Sequence, residues 1–253
     1  MPSPFSRWLI VVPARLKSER LPRKPLQDLG GKPLVVRVAE NLRPLIDQGA
    51  RLLIAVDAPE VMAALNAHGY SGVMTDPGLQ SGTDRCAAAV NLSGQSAEFV
   101  LNVQGDEPFV NTDDLRDLCL AMEARPQSDM GTLVYQTSDS ALFHDPNAVK
   151  AIRSSDGLAL YFSRSPIPYA RSAPERKHQP ETHWHHLGVY AFRRERLHAF
   201  VNLAPSHLEQ TEKLEQLRAL EAGWRIYLQP ARSFARGIDT PEDLEAARRK
   251  LRT

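Results

Sequence analysis

The sequence has few of the features that mark several large classes of protein. It contains two cysteines, Cys86 and Cys119, and they share no CxxC spacing. A disulfide framework and a cysteine zinc site are therefore not expected, and a reducing compartment fits this composition. The apolar run at residues 9–12 is too short for the core of a signal peptide or for a membrane span. We therefore expect a cytoplasmic protein with no membrane partner.

An excess of charge of one sign is also absent. The 31 Lys and Arg residues balance 30 Asp and Glu residues, which leaves a net charge of +1. Such a balance provides no bulk attraction to nucleic acid, so no nucleic-acid partner is expected. Hydrophobic residues at 42% and charged residues at 24% are ordinary for a globular protein with a core.

Short apolar runs alternate with amphipathic stretches through the first half of the chain. The pattern predicts strands at 8–12, 51–56, 72–74, 99–103 and 130–135, and helices at 34–45, 60–67, 83–90 and 113–124. This alternation, with continuous apolar strands, indicates a mostly parallel sheet covered on both faces by helices.

The pattern changes in the second half. Asp156-Gly157 lies between two apolar runs and predicts a β-hairpin of residues 149–153 and 158–162. Residues 165–182 are polar and carry four prolines, so we predict an irregular excursion. Further strands are predicted at 187–192 and 224–228, and helices at 208–222, ending at Gly223, and at 241–251. We expect one domain over residues 1–253 with a small antiparallel insertion.

A dense group of cations follows the first predicted strand. Residues 13–26, here called the basic loop, contain one acid, Glu19, and five cations: Arg15, Lys17, Arg20, Arg23 and Lys24. Because ligands of open parallel sheets bind beyond the carboxyl ends of the strands, this loop suits a triphosphate. The glycines of a Walker loop are absent. A solvated basic surface is the competing interpretation.

Two acidic side chains are candidate metal ligands. An apolar strand runs into Gln104-Gly105-Asp106-Glu107, which puts Asp106 where a carboxylate can hold Mg²⁺ against phosphates, although an acidic turn is the alternative. Asp239 lies just outside a predicted helix start capped by Thr240 and is not needed for that cap. Two acids far apart in sequence that meet at one cation are a usual way to build a magnesium–phosphate site.

Other segments offer groups for a base edge and for an acidic sugar. Ser81 or Thr83 can cap the following helix and leave backbone N–H groups for a ligand, although a plain N-cap is the favoured interpretation of this segment by itself. Farther along, Arg164 and His186 suit a carboxylate, and the side chains of Glu215 and Gln216 suit sugar hydroxyls.

Three histidines lie close together at positions 183, 185 and 186. A zinc site needs more converging ligands than this spacing supplies. We interpret them as surface histidines or as side chains that support a site from behind.

Taken together, these segments resemble the bacterial 3-deoxy-manno-octulosonate (KDO) cytidylyltransferases, also called CMP-KDO synthetases. The matching blocks follow one another along nearly the whole chain: PAR…RLP-x-KPL, GKPL, SGTDR, NVQGDEP, DPNAVK, ALYFSR, HHLGVYAF, LEQLRAL and GIDTPEDL. One such block would be a weak signal, whereas all of them in order are highly specific.

The resemblance implies a nucleotide-diphospho-sugar transferase-like (Rossmann-like) α/β fold and a homodimeric enzyme of lipopolysaccharide synthesis. It implies that CTP and KDO yield CMP-KDO and pyrophosphate with Mg²⁺. The implied catalytic residues are Arg15 and Lys24, on the triphosphate, and Asp106 and Asp239, on the metal. The implied nucleotide-binding residues are Pro13, Ala14, Arg15, Lys24, Ser81, Gly82 and Gln104. The implied sugar-acid residues are Arg164, His186, Tyr190, Glu215 and Gln216.

One position departs from the family pattern. Arg23 stands where many members carry glycine, and the related CMP-sialate synthetases can carry arginine there. CMP transfer to another sugar acid, sialic-acid-like or amino-substituted KDO, is therefore the alternative function. A catalytically silent nucleotide-binding protein is disfavoured, because both acids and both loop cations are present.

Overall fold

A computed structural model describes residues 3–251 of the chain. The chain divides into two compact units. The first comprises the residues up to Thr112 together with those from Ala235 onward, and the second runs from Asp113 to Phe234. One nucleotidyltransferase domain over residues 1–253 stays a prediction.

The first unit is built on parallel strands in the order β3-β2-β1-β4. Their bounds are β1 (Trp8–Ala14), β2 (Arg51–Val56), β3 (Gly72–Met74) and β4 (Phe99–Asn102). All seven residues of β1 are buried, as expected for an apolar strand covered on both faces. The four strands predicted here are confirmed within one or two residues at their ends.

Helices follow the strands of the first unit in the predicted order. They are α1 (Leu34–Asn41), α2 (Arg43–Asp47), α3 (Pro59–Asn66) and α4 (Gly82–Ser93). The prediction of one helix over 34–45 is wrong, because the chain breaks at Leu42. Pro44 lies in the first turn of α2, and its missing N–H prevents a continuous helix.

The second unit contains the antiparallel part of the molecule. Its strands are β5 (Met130–Thr137), β6 (Lys150–Arg153), β7 (Ala159–Ser163), β8 (His183–Arg193) and β9 (Ile226–Pro230). β5 pairs in parallel with β9 and antiparallel with β8, and β6 pairs antiparallel with both β7 and β8. The predicted hairpin and small antiparallel insertion are thus confirmed.

Helices of the second unit are mostly short. They are α5 (Thr112–Glu123, beginning at the unit boundary), α6 (Ser140–His144), α7 (Arg194–Val201), α8 (His207–Glu212) and α9 (Gln216–Glu221). The predicted helix over 208–222 is wrong, because Lys213 adopts a left-handed conformation (φ 54°) that ends α8. Gly223, with φ 80°, follows the end of α9 and confirms the predicted stop.

β8 begins at His183, four residues before the predicted start. The rings of Phe143, Phe234 and Phe162 pack against His183, His185 and His186 respectively, and each histidine is less than 8% exposed. The surface interpretation of His183, His185 and His186 is therefore wrong.

The chain closes in the first unit with α10 (Pro241–Lys250). Thr240 and Asp243 form a reciprocal capping box at its start, as the sequence predicts. No helix within residues 3–251 combines the length and the apolar character needed to cross a bilayer.

Candidate active site

A cavity of about 850 Å³ lies in the first unit at the carboxyl end of β1. The basic loop forms one wall, and the residues after β4 form another. The residues predicted for the nucleotide that line this cavity are Pro13, Ala14, Arg15, Lys24, Gly82 and Gln104, and both predicted metal ligands line it too. The volume is within the range of pockets that hold small ligands.

Lys24 lies between the two acids. Its ammonium Nζ is 2.5 Å from Asp106 Oδ2 and 2.9 Å from Asp239 Oδ1. Arg20 contacts the other oxygen of Asp239, with Nη2 and Oδ2 3.0 Å apart. Two carboxylates, here called the acid pair, therefore converge on a single positive charge although they lie 133 positions apart in the sequence.

The acid pair changes the proton affinity of the groups around it. Burial opposes the charge of Lys24, but Asp106 and Asp239 outweigh this effect and raise the pKa of the lysine. Burial likewise opposes the charge of Asp239, yet the cations Lys24 and Arg20 lower the pKa of this carboxyl. Lys24 and Asp239 therefore each favour the charged form of the other.

Apolar packing brings the acid-bearing segments together. Ile238, next to Asp239, is buried in a cluster that also contains Leu21 of the basic loop. The backbone N–H of Ile238 donates a hydrogen bond of 2.8 Å to the carbonyl oxygen of Asp106. Burial of leucine and isoleucine side chains, not attraction between like-charged acids, therefore places Asp239 beside Asp106.

Gly105 permits the close approach of two chain segments at the cavity. A Cβ at this position would lie 2.4 Å from the carbonyl oxygen of Pro13. Since that distance is far below van der Waals contact, any side chain would push the end of β1 away from the segment that carries Asp106.

Ser81 acts as the N-cap of α4. Its hydroxyl accepts a hydrogen bond from the backbone N–H of Asp84, and the Asp84 carboxylate accepts one from the Ser81 N–H. The cap therefore uses the Ser81 side chain. A Cβ at Gly82 would lie 3.4 Å from Gln104 Oε1, so this helix start and the end of β4 face the same part of the cavity.

In the second unit, three of the predicted sugar-acid residues lie together. Tyr190 donates a hydrogen bond of 3.0 Å to Oε1 of Gln216, and the rings of Tyr190 and His186 have centroids 5.7 Å apart. His186 Nε2 lies 2.9 Å from Thr132 Oγ1. We call Thr132, His186, Tyr190 and Gln216 the Tyr190 cluster.

The Tyr190 cluster is uncharged, and its members other than the half-buried Tyr190 are buried. Gln216 is 2% exposed, and within the described residues its Nε2 has no hydrogen-bond partner. Burial, assisted by His185, lowers the pKa of His186 to about 3. His186 is therefore a neutral hydrogen-bonding group near pH 7, not the cation that carboxylate binding by charge would need.

Arg164 belongs to a different group of contacts in the second unit. Its guanidinium donates to the carbonyl oxygens of Glu212 (2.7 Å), Pro146 (2.9 Å) and Lys213 (3.3 Å). Its planar fork therefore holds the turn between α8 and α9, which leads into Glu215. This arrangement indicates that Arg164 organises the segment carrying Glu215 and Gln216.

Comparison of the sequence with known proteins shows the family to which the chain belongs. A family model described as "Cytidylyltransferase" matches residues 9–226. Two curated 3-deoxy-manno-octulosonate cytidylyltransferases, from Polynucleobacter necessarius and Polynucleobacter asymbioticus, are each 42% identical over 246 residues, covering 96% of this chain and 95% of the relative. This chain belongs to the 3-deoxy-manno-octulosonate cytidylyltransferase family. As a member of that family it is a nucleotidyltransferase.

A solved structure from this cytidylyltransferase family has the same architecture. It is a CMP-2-keto-3-deoxy-manno-octonic acid synthetase in complex with CTP, 37% identical to this chain, with a TM-score of 0.89. The alignment covers 98% of this chain and 99% of that one. The α/β fold predicted from the sequence is therefore confirmed.

Two acids in or beside the cavity, Asp57 and Glu107, have no role in the sequence prediction. Asp57, the first residue after β2, lines the cavity, and its Oδ1 accepts a hydrogen bond of 2.8 Å from the Leu16 N–H. Burial, together with Asp106 and Asp239, raises the pKa of Glu107 to about 8, so this neighbour of the acid pair is mostly protonated at pH 7. The position of Asp57 at a strand's carboxyl end was an available signal.

Proposed function

We propose that this protein transfers the CMP unit of CTP to KDO, releasing pyrophosphate and forming CMP-KDO for lipopolysaccharide synthesis. The anomeric hydroxyl oxygen of KDO attacks the α-phosphorus, and the bond from that phosphorus to the oxygen of the leaving pyrophosphate breaks. The hydroxyl proton is released to solvent. The observation that carries the proposal is the convergence of Lys24, Asp106 and Asp239 in one cavity, in a chain of this family.

The basic loop is proposed to hold the triphosphate. Arg15 and Lys24 line the cavity, and their positive charges offset those of the phosphates, so that a nucleophile can approach. Pro13, Ala14, Ser81, Gly82 and Gln104 are proposed to face the cytosine and ribose. The CTP bound by the 37%-identical synthetase supports this nucleotide.

Magnesium is the proposed metal, and the donor set fits it. Among residues 3–251 no three His, Cys, Asp or Glu side chains group to form an all-protein metal site. Mg²⁺ commonly takes one or two carboxylates and completes its shell with substrate phosphates, which the acid pair allows. Asp106 and Asp239 would hold it. When bound, it would supply electrostatic stabilisation of charge on the phosphates.

The Tyr190 cluster, with Glu215, is proposed to bind the sugar acid. Neutral hydroxyl, amide and imidazole groups suit the many hydroxyls of KDO. Arg164 is proposed to act here by holding the turn that leads into Glu215. The names of the relatives support KDO over a sialic-acid-like or amino-substituted sugar acid.

The family resemblance supports a homodimer, and we propose one. A cytoplasmic location is also proposed, because Cys86 and Cys119 are both buried free thiols, as expected in a reducing compartment.

Pyrophosphate release tests the function directly. The purified protein is incubated with CTP, KDO and MgCl₂, and pyrophosphate is measured with a coupled enzyme assay. We expect release that requires all three components and that is much slower with sialic acid in place of KDO. Equal rates with the two sugar acids would contradict the assignment of KDO, and no release with either would contradict the function.

A further inference from the structure

Two adjacent parallel strands of the first unit, β2 and β3, end around one buried guanidinium. Asp57 directly follows β2, Thr75 directly follows β3, and Arg85 reaches them from α4. Nη1 of Arg85 donates to Thr75 Oγ1 at 2.5 Å, and Nη2 lies 3.4 Å from Asp57 Oδ2. The side chain of Arg85 is 0% exposed, and that of Asp57 is 8% exposed.

Asp57 joins this buried charge to the basic loop. While Oδ2 faces Arg85, Oδ1 accepts a hydrogen bond of 2.8 Å from the backbone N–H of Leu16. Leu16 follows Arg15, whose Nη1 donates to the carbonyl oxygen of Gln80 at 3.3 Å on the cavity wall. The backbone is therefore fixed immediately beside the first cation proposed to meet the triphosphate.

Stability alone does not explain this pair. Burying an arginine and a carboxylate removes both charges from water, which costs free energy, so a well-packed apolar pair of similar volume would stabilise the fold at least as well. Removing one partner of a buried ion pair leaves the other charge uncompensated. Nε and Nη2 of Arg85 also make no hydrogen bond within the described residues. The arrangement instead places a buried cation beside one carboxylate oxygen of Asp57 while the other oxygen accepts from the Leu16 N–H.

We propose that Asp57 and Arg85 are positioning residues for the nucleotide half of the reaction. Arg85 orients the Asp57 carboxylate, and Asp57 holds Leu16 so that Arg15 and the basic loop present their charges to CTP. Misplacing such groups by about 1 Å can cost a hundredfold in rate. The inference rests on the proposed CTP chemistry and adds residues to which that proposal gives no role.

The test compares two uncharged versions of the pair. The double variant D57N/R85M keeps an amide oxygen that can accept from Leu16 N–H, whereas D57A/R85M has none. Both variants lack the buried charges, so their folding penalties are matched, and thermal unfolding measures any remaining difference. We measure kcat and KM for CTP and for KDO separately.

We expect the KM for CTP to be at least tenfold higher in D57A/R85M than in D57N/R85M, with the KM for KDO within twofold. Equal KM values for CTP in the two variants would overturn the proposal, and so would an equal rise in both KM values. If neither double variant folds, the single variants D57N and D57A are compared in the same way.

D114N is the matched control. Asp114 is a buried acid of the second unit that accepts hydrogen bonds from the backbone and the side chain of Arg232, and its substitution should leave the KM for CTP unchanged.

The same assay separates this inference from the proposed function. If the wild-type protein releases no pyrophosphate from CTP and KDO, the function itself fails. If the wild type is active and the two double variants bind CTP equally well, the function stands and the positioning role of Asp57 fails.

Discussion

The cavity of the first unit is lined by ion-paired side chains, whereas the Tyr190 cluster of the second unit consists of neutral side chains. In the cavity, Lys24 forms ion pairs with Asp106 and Asp239, and all three side chains are partly open to solvent. In the cluster, Tyr190 and Gln216 are linked through neutral groups, and burial keeps His186 uncharged. The difference matches the two substrates, since a triphosphate needs its charge offset and a sugar needs its hydroxyls recognised.

This comparison also shows how each site is held together. In the first unit, apolar packing around Leu21 and Ile238 forces like charges close to one another, and Lys24 offsets their repulsion. In the second unit, hydrogen bonds between buried neutral groups define the geometry. Substitutions that remove charge should therefore affect the first unit most, and substitutions that remove a single hydroxyl should affect the second by smaller amounts.

The largest effect is expected from Asp239→Asn. The substitution removes one charge of the acid pair with little change in shape, so it should lower kcat by about a thousandfold, in the range of losing a preorganised electrostatic group. Pyrophosphate release measures kcat, and thermal unfolding checks the fold. Asp47→Asn, on the surface of the same unit, is the control and should leave both unchanged. Near-full activity of Asp239→Asn would show that the acid pair is not the metal site.

Lys24→Met should have the next largest effect. Loss of a charge-assisted contact is expected to raise the KM for CTP roughly tenfold to a hundredfold. Because the acid pair would lose its ammonium partner, the free protein should also bind Mn²⁺ more tightly, which electron paramagnetic resonance of Mn²⁺ can measure. Lys32→Met removes a lysine paired with Glu40 elsewhere in the unit and is the matched control. Unchanged Mn²⁺ affinity in Lys24→Met would argue against the acid pair as the metal site.

The parts of the fold that the sequence predicts well are those with strong local signals. β1 and β4 are continuous apolar runs between polar segments, and their predicted ends differ from the observed ones by two residues or fewer. The break between α8 and α9 was not predicted, because Lys213 is not a residue type that marks a left-handed turn. α7 was missed because two of its eight residues, Leu197 and Phe200, are buried, too few to give a helical pattern.

The candidate site likewise contains residues that the sequence predicts and residues whose contacts it does not reveal. Asp106 and Asp239 stand where general rules about strand ends and helix caps direct attention, and the structure brings both to Lys24. The contacts of Arg164 could not be predicted, because sequence does not reveal whether a guanidinium faces a ligand or backbone carbonyls. The position of Asp57 after a strand signals a site residue, but its contact with the buried Arg85, distant in sequence, cannot be predicted from the sequence.

The neutral histidines of the second unit should make the stability of the protein depend on pH. Burial lowers the pKa of His185 to about 4, well below the ordinary value of 6.5. Since the unfolded chain binds the proton more readily, stability is fully present above pH 6.5 and is lost as pH falls toward 4. At 1.36 kcal/mol per pKa unit, His185 should account for about 2 kcal/mol of stability lost between pH 7 and pH 5.

Urea unfolding at pH 7 and pH 5 measures this loss. His185→Gln should reduce the loss in unfolding free energy by about 2 kcal/mol, because glutamine does not titrate. His68→Gln is the control for replacing a histidine, since His68 is exposed in the first unit, and it should leave the unfolding free energy at pH 7 unchanged. An unaltered pH dependence in His185→Gln would mean that His185 is not held neutral by burial.

The smallest effect is expected from Tyr190→Phe. This change removes one neutral hydrogen bond, to Gln216 Oε1, and leaves the ring in place. If the Tyr190 cluster binds the sugar acid, the KM for KDO should rise about threefold to tenfold while the KM for CTP stays within twofold. Tyr169→Phe, at an exposed tyrosine of the same unit, should change neither value. A rise confined to the KM for CTP would reverse the assignment of the two substrates, because the neutral cluster of the second unit would then serve the nucleotide.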